Sequence, residues 1–179
     1  MGADLARRDA SLSHRGDGVE AAAFVAAFGS ALPTSSGLDE AVDVALREIP
    51  REGGVSGAIS FARSLVGVEC AVEQIHERYA GLPPVHALNN LALVLWALLS
   101  HGDDYSAAIG EVVAAGWDTD CNGATVGGLW GLAGRPIPER WTAPWQGRVA
   151  VTLAGVGELR LDDLVARTVA VAERINAAE

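Results

Sequence analysis

Residues Leu91 to Leu99 are apolar without interruption, with His86, Asn89 and Asn90 before them and Ser100, His101 and Gly102 after. Such a run has few places to go. Crossing a bilayer as a helix takes about 20 apolar residues, so a membrane span is excluded for this stretch. His86–Ser100 therefore reads as the most apolar helix of the chain, one with no polar face and buried on most of its sides. The rest of the chain has to supply what surrounds it.

It does so mainly with helix. Gly18–Leu32 carries Val19, Ala22, Ala23, Ala26 and Ala27 at helical spacing and is stopped by Pro33; its small side chains imply close approach of a neighbouring helix. Leu38–Arg47 is a short helix ended before Pro50, a further helix runs from Gly53–Gly54 to Val66, and Glu69–Tyr79 continues after a break at Gly67. Pro83–Pro84 interrupts the chain ahead of the apolar helix. Asp103 or Asp104 caps Tyr105–Ala115, which ends at Gly116. Trp117–Asn122 reads as a loop and Gly123–Leu132 as helix again. Gly134–Pro138 turns into Glu139–Trp141, and Leu161–Ala178 is a closing amphipathic helix with Asp162 and Asp163 well placed in its first turn. Period-two alternation occurs only over Arg148–Leu153, within an unassigned, Gly-punctuated stretch from 144 to 160. No repeat or linker divides the chain. The expectation is a single all-α domain over residues 1–179.

Composition narrows the function. Half the residues are hydrophobic but only 6% aromatic, which suits close helix packing around Ala, Val and Leu. A formal net charge of −10 with no visible basic stripe argues against nucleic acid as a partner. All 13 basic residues are arginine, so neither a P-loop lysine nor a Schiff-base lysine is available. Cys70 and Cys121 make neither a disulfide framework nor a four-thiolate zinc site, and MGADLARRDASLSH lacks the apolar core of a signal peptide. A soluble, cytoplasmic protein in a reducing compartment is expected, without a membrane partner.

Chemistry concentrates in Ala114–Trp141, AAGWDTDCNGATVGGLWGLAGRPIPERW. Asp118 and Asp120 stand two apart, with Asn122 beside them. Helix capping explains one such Asp readily; two carboxylates flanking one residue repel each other unless a cation neutralises them. Asp118, Asp120, Asn122 and Gly123 fill the first half of an EF-hand loop, but its bidentate twelfth position falls on Leu129, and the calcium reading fails. A dehalogenase-type Asp-x-Asp motif fails at Asn122, where Thr or Val is needed, and lacks a preceding strand. His76–Glu77 starts like a zincin motif, yet Ala80 stands where its second histidine belongs, so His76 reads as a helix-surface residue. Nucleophile-elbow and dinucleotide-binding glycine motifs are absent. What remains is a site for a hard cation that takes oxygen ligands.

The stretch GWDTDCNGATVGGLWGLAGRPIPERW closely resembles the C-terminal metal-binding signature of the ADP-ribosylglycohydrolases. LARRDASLSHRGDGVEAAAFVAA resembles the family segment in which a histidine, here His14, precedes a small-residue helix. PVHALNNLALVLWALL, DDYSAAIGEVVAAG and DDLVARTVAVAERI are similar to the family's helices before, into and after the aspartate loop. The resemblance covers nearly the whole chain. It implies a compact, orthogonal all-α bundle, a binuclear Mg²⁺ (sometimes Mn²⁺) site, and hydrolysis of the glycosidic bond between ADP-ribose and a protein side chain or small molecule. On these positions Asp118 and Asp120 are implied metal ligands. Cys121 stands where a Thr hydroxyl is usual and is a weak, soft substitute. Gly116, Trp117, Thr119, Asn122 and Gly123 are implied to shape the loop against substrate, and His14 to lie near the ADP-ribose pocket.

The family also carries G-D-x-x-G-x-P-x-E and T-D-D-T-type segments that supply the other metal ligands and a catalytic acidic residue. Gly16-Asp17-Gly18 and Gly102-Asp103-Asp104 share letters with these but not the flanking pattern. The chain is thus expected to correspond to the C-terminal part of the family domain, lacking its N-terminal helices, with the catalytic acid outside it. Two expectations follow. One is a hydrolase represented here by its C-terminal half, a truncated product or one half of a split enzyme whose partner supplies the other ligands; the other is a catalytically incomplete module that binds ADP-ribose or a partner. Uncovered apolar faces would favour a homo-oligomer.

Overall fold

A computed structural model describes residues 1–177 of the chain. Among these it is all-α apart from one two-stranded ribbon, and it divides into two compact units, Met1–Pro136 and Ile137–Glu179.

The first unit contains helices α1 (Gly2–Ala10), α2 (Asp17–Ala31), α3 (Leu38–Ala45), α4 (Gly54–Ser64), α5 (Ala71–Arg78), α6 (Ala87–Ser100), α7 (Tyr105–Ala114) and α8 (Thr119–Leu132). Helix α6 is its axis: Leu91 through Leu98 are all buried, and the helix packs against α2, α3, α4, α5, α7 and α8. The continuous apolar run is therefore explained by neighbours on every side. Its first turn is capped by His86, whose Nδ1 accepts from the Leu88 N–H.

Helix α2 buries Ala21, Ala23, Ala27, Gly29 and Ala31 alongside Phe24 and Phe28, whose rings stack at 5.9 Å. Small side chains let α1 come close: a Cβ at Gly2 would meet Ser30 Oγ at 2.9 Å. Helix α1 has no counterpart in the sequence reading, because LARRDA is dominated by charge. Its Arg7 pairs with Glu20 of α2 at 2.9 Å and also donates to the Glu48 carbonyl. That pairing, first as a hydrogen bond to Glu20, holds the Arg7 guanidinium above its usual range.

Element boundaries depart from expectation at two places that matter. Helix α5 begins at Ala71, after Cys70 in a left-handed conformation, rather than at Glu69. Helix α8 begins at Thr119, so Thr119–Asn122 is its first turn and not a loop.

The second unit consists of α9 (Glu139–Thr142), strands β1 (Arg148–Ala150) and β2 (Glu158–Arg160), and α10 (Leu161–Asn176). The strands pair antiparallel with Val149 opposite Leu159, and Gly155 and Gly157, both at positive φ, make the return. The alternation over Arg148–Leu153 is strand only in its first three residues. Helix α10 starts as expected with Asp162 and Asp163 in its first turn; Ala178, the expected last residue, lies outside the described residues. No described helix is long and apolar enough to cross a membrane.

Candidate metal centre and the cleft beside it

Helices α5, α6, α7 and α8 and the connection between α7 and α8 build the metal turn, all within the first unit. Helix α7 ends at Ala114 with Ala115 as its cap, and the chain turns through Gly116 at φ 83° and Trp117 at φ 58°. Glycine takes this left-handed region freely, but for a residue with a Cβ it costs about 1–2 kcal/mol. Two contacts oppose that cost. The Trp117 indole stacks on the His76 imidazole of α5, with centroids 3.9 Å apart and planes at 29°. His76 Nε2 lies 2.7 Å from the Ala115 carbonyl oxygen, which can only accept, so Nε2 carries the proton. His76 is thus half-buried against the loop rather than an independent surface residue.

Asp118 follows as the residue before α8, with φ −89° and ψ 70°. Its backbone N–H donates to Asn90 Oδ1 of α6 at 3.2 Å, and that oxygen also accepts from Asn122 Nδ2 at 2.8 Å. Asn90 is itself fixed, donating from Nδ2 to the carbonyls of Pro84 and His86 at 2.7 and 2.8 Å. Asn122 is 2% exposed, so its amide needs this partner. The buried Asn122 and the half-buried Asn90 therefore tie the aspartate turn to the central helix. The sequence offered no local signal for Asn90, His76 or His86.

The Asp118 side chain accepts from no backbone N–H of the first turn of α8. Asp104 before α7 behaves differently, its Oδ1 accepting from the Ser106 and Ala107 N–H groups at 2.9 and 3.1 Å. Capping accounts for Asp104 but not for Asp118, whose carboxylate faces the Cys121 thiol instead. Asp118, half-buried, and the exposed Asp120 and Cys121 each place a ligand-type atom so that all three lie within 4.8 Å of one another.

The donor set divides by chemistry. Two carboxylate oxygens suit Mg²⁺ or Mn²⁺, whereas a thiol suits neither. The Asp118 carboxylate, as hydrogen-bond acceptor and then as a nearby charge, pushes the Cys121 thiol up from its usual range. It therefore stays protonated at neutral pH, when a metal needs the thiolate. The residues fit a hard cation held by Asp118 and Asp120, with Cys121 as a neighbour.

A cleft of about 460 Å³ opens beside these groups, lined among others by His14, Val25, Leu91, Asp118, Cys121 and Asn122. Because α8 starts at Thr119, positions 118, 121, 122 and 125 fall on one helical face, and all four line the cleft. Asn90 and His86 join them from α6 and its cap, and Ala22 and Ala26 from α2. His14 enters from the turn between α1 and α2, with Ser13 Oγ 2.8 Å from its Nδ1. Gly18 lies tightly under that ring, where a Cβ would stand 3.0–3.3 Å from His14 carbons. Of the residues singled out in the sequence, His14, Asp118, Cys121 and Asn122 share the cleft; Gly116, Trp117, Thr119, Asp120 and Gly123 lie outside its lining. Thr119 and Gly123 belong to other faces of α8, and a Cβ at Gly123 would press on Val113 of α7 at 3.2 Å.

No curated protein and no solved structure matches the chain. Residues 2–175 match the family model for ADP-ribosylglycohydrolase. With that match over nearly its whole length, on an all-α framework, the chain belongs to the ADP-ribosylglycohydrolase family, whose activity is of the glycohydrolase type.

Proposed function

We propose that this chain serves in hydrolysis of the glycosidic bond between ADP-ribose and an acceptor, a protein side chain or a small molecule. Asp118 and Asp120 would hold the divalent cation, Mg²⁺ or Mn²⁺. One observation carries this reading: Asp118 stands in a capping position but makes no cap bond, and keeps its carboxylate beside Asp120 at the mouth of a cleft. A bound ion supplies Lewis-acid and templating chemistry at such a place. The chain's own contribution is positional. Asn90 and Asn122 fix the turn, and His14, on the cleft wall, is available to the ADP-ribose. The apolar wall of Val25, Leu91 and Val94 takes the hydrophobic faces of the ligand and keeps water away from it.

Among the residues lining the cleft, Asp118 alone is acidic. Glycoside hydrolysis ordinarily uses a second carboxylate as acid or base. That favours an enzyme whose remaining carboxylates come from outside the residues lining this cleft. It also supports a second reading, a helical module that binds ADP-ribose without cleaving it. The test is release of ADP-ribose from a modified protein in Mg²⁺, by the chain alone and with a candidate N-terminal half. Release that is lost in Asp118→Asn and Asp120→Asn is the expected result. No release under either condition, with ADP-ribose still bound, would select the module.

A further inference from the structure

We propose that His76 is a positioning residue for the metal loop, holding Trp117 and, through it, the Asp118–Asp120 pair. The inference rests on the reading of those aspartates as metal ligands, and His76 itself touches neither.

The geometry is a clamp with two jaws. His76 Nε2 donates to the Ala115 carbonyl at 2.7 Å, satisfying one of the carbonyls that the C-terminus of α7 leaves open. Its ring face lies against Trp117 with centroids at 3.9 Å. Between these contacts stands Gly116 at φ 83°, and Trp117 itself is at φ 58°. Two consecutive left-handed residues reverse the chain and deliver Asp118 to α8. Glycine needs no help to do this; tryptophan does, because its Cβ crowds the preceding peptide. The stack supplies the compensation, and it comes from a side chain 41 residues earlier on a separate helix. Asn90 then takes the Asp118 N–H at 3.2 Å. The turn is fixed at the Ala115 carbonyl, at the Trp117 ring and at the Asp118 amide. Freed at the ring, Trp117 relaxes toward negative φ, and the Asp118 carboxylate swings away from Asp120.

The proposal predicts that the value of His76 depends on what stands at 117. Mn²⁺ affinity is measured on the full chain by calorimetry, with Asp118 amide exchange on the metal-free protein. His76→Ala is expected to weaken Mn²⁺ about tenfold, the scale of one hydrogen bond and one ring contact. It should also speed Asp118 amide exchange by a similar factor, with little change in Tm. In a Trp117→Gly background the same substitution is expected to change affinity less than about twofold, since glycine adopts the turn unaided. His76→Phe, which keeps the stack and loses the donor, should recover most of the affinity. Equal losses in both backgrounds, or no change in affinity and exchange, would overturn the proposal. If His76→Ala fails to fold, His76→Phe against His76→Gln in the two backgrounds decides the same point. If Asp118→Asn binds Mn²⁺ like the wild type, the metal reading falls, and the exchange rates still judge the clamp.

Discussion

A thiol stands third in a group whose other members are carboxylates, and its neighbours keep it protonated. Cys121 is exposed, within reach of Asp118, and raised in pKa by that carboxylate. A hydroxyl in the same place would offer a hard oxygen without needing to lose a proton. Cys121→Thr is therefore expected to strengthen Mg²⁺ binding severalfold while leaving the fold unchanged, as a calorimetric titration would show. The aspartates and the cysteine were legible in the sequence because they lie within four residues of each other. Asn90 and His76 were not. Asn90 reaches positions 28 and 32 residues away, and His76 one 39 away, and nothing local to either marks those partners. A lone histidine on a short amphipathic helix looks like any solvated residue until the fold is known.

Helix starts carry the next level of meaning. Asp104 and Asp118 both precede a first turn, and only Asp104 accepts from its backbone N–H groups. Asp104→Ala should therefore cost about 1 kcal/mol of stability in urea unfolding. Asp118→Ala should cost much less, and by the same assay could even stabilise, because removing one of two adjacent carboxylates relieves repulsion. A comparable loss at both positions would make Asp118 a structural cap. The main error of boundary arose in this same region. Thr119–Asn122 read as loop, since Thr, Asp, Cys and Asn are all poor helix formers. The helix nevertheless begins at Thr119, because burial of Asn122 against Asn90 and of Val126, Leu129 and Trp130 in the core outweighs propensity. That shift decides which side chains share the cleft.

Across the molecule, the readable part was the apolar pattern. An uninterrupted run at Leu91–Leu99 demanded a central helix, and the Ala-rich helices around it were visible from spacing alone. The charge-rich α1 and strand β2 were hidden, the first by its polarity and the second because three residues carry almost no periodic signal; β1 showed only as the alternation that begins at Arg148. The core, the cleft and all three candidate donors belong to the unit Met1–Pro136. The central claim is that this unit presents Asp118 and Asp120 as a hard-cation site, not as helix caps. Mn²⁺ titration of the full chain, with Asp118→Asn and Asp104→Asn in parallel, tests it most directly. One saturable binding step in the wild type and in Asp104→Asn, lost in Asp118→Asn, is the predicted result. Binding that survives in Asp118→Asn, or that falls equally in Asp104→Asn, would contradict it.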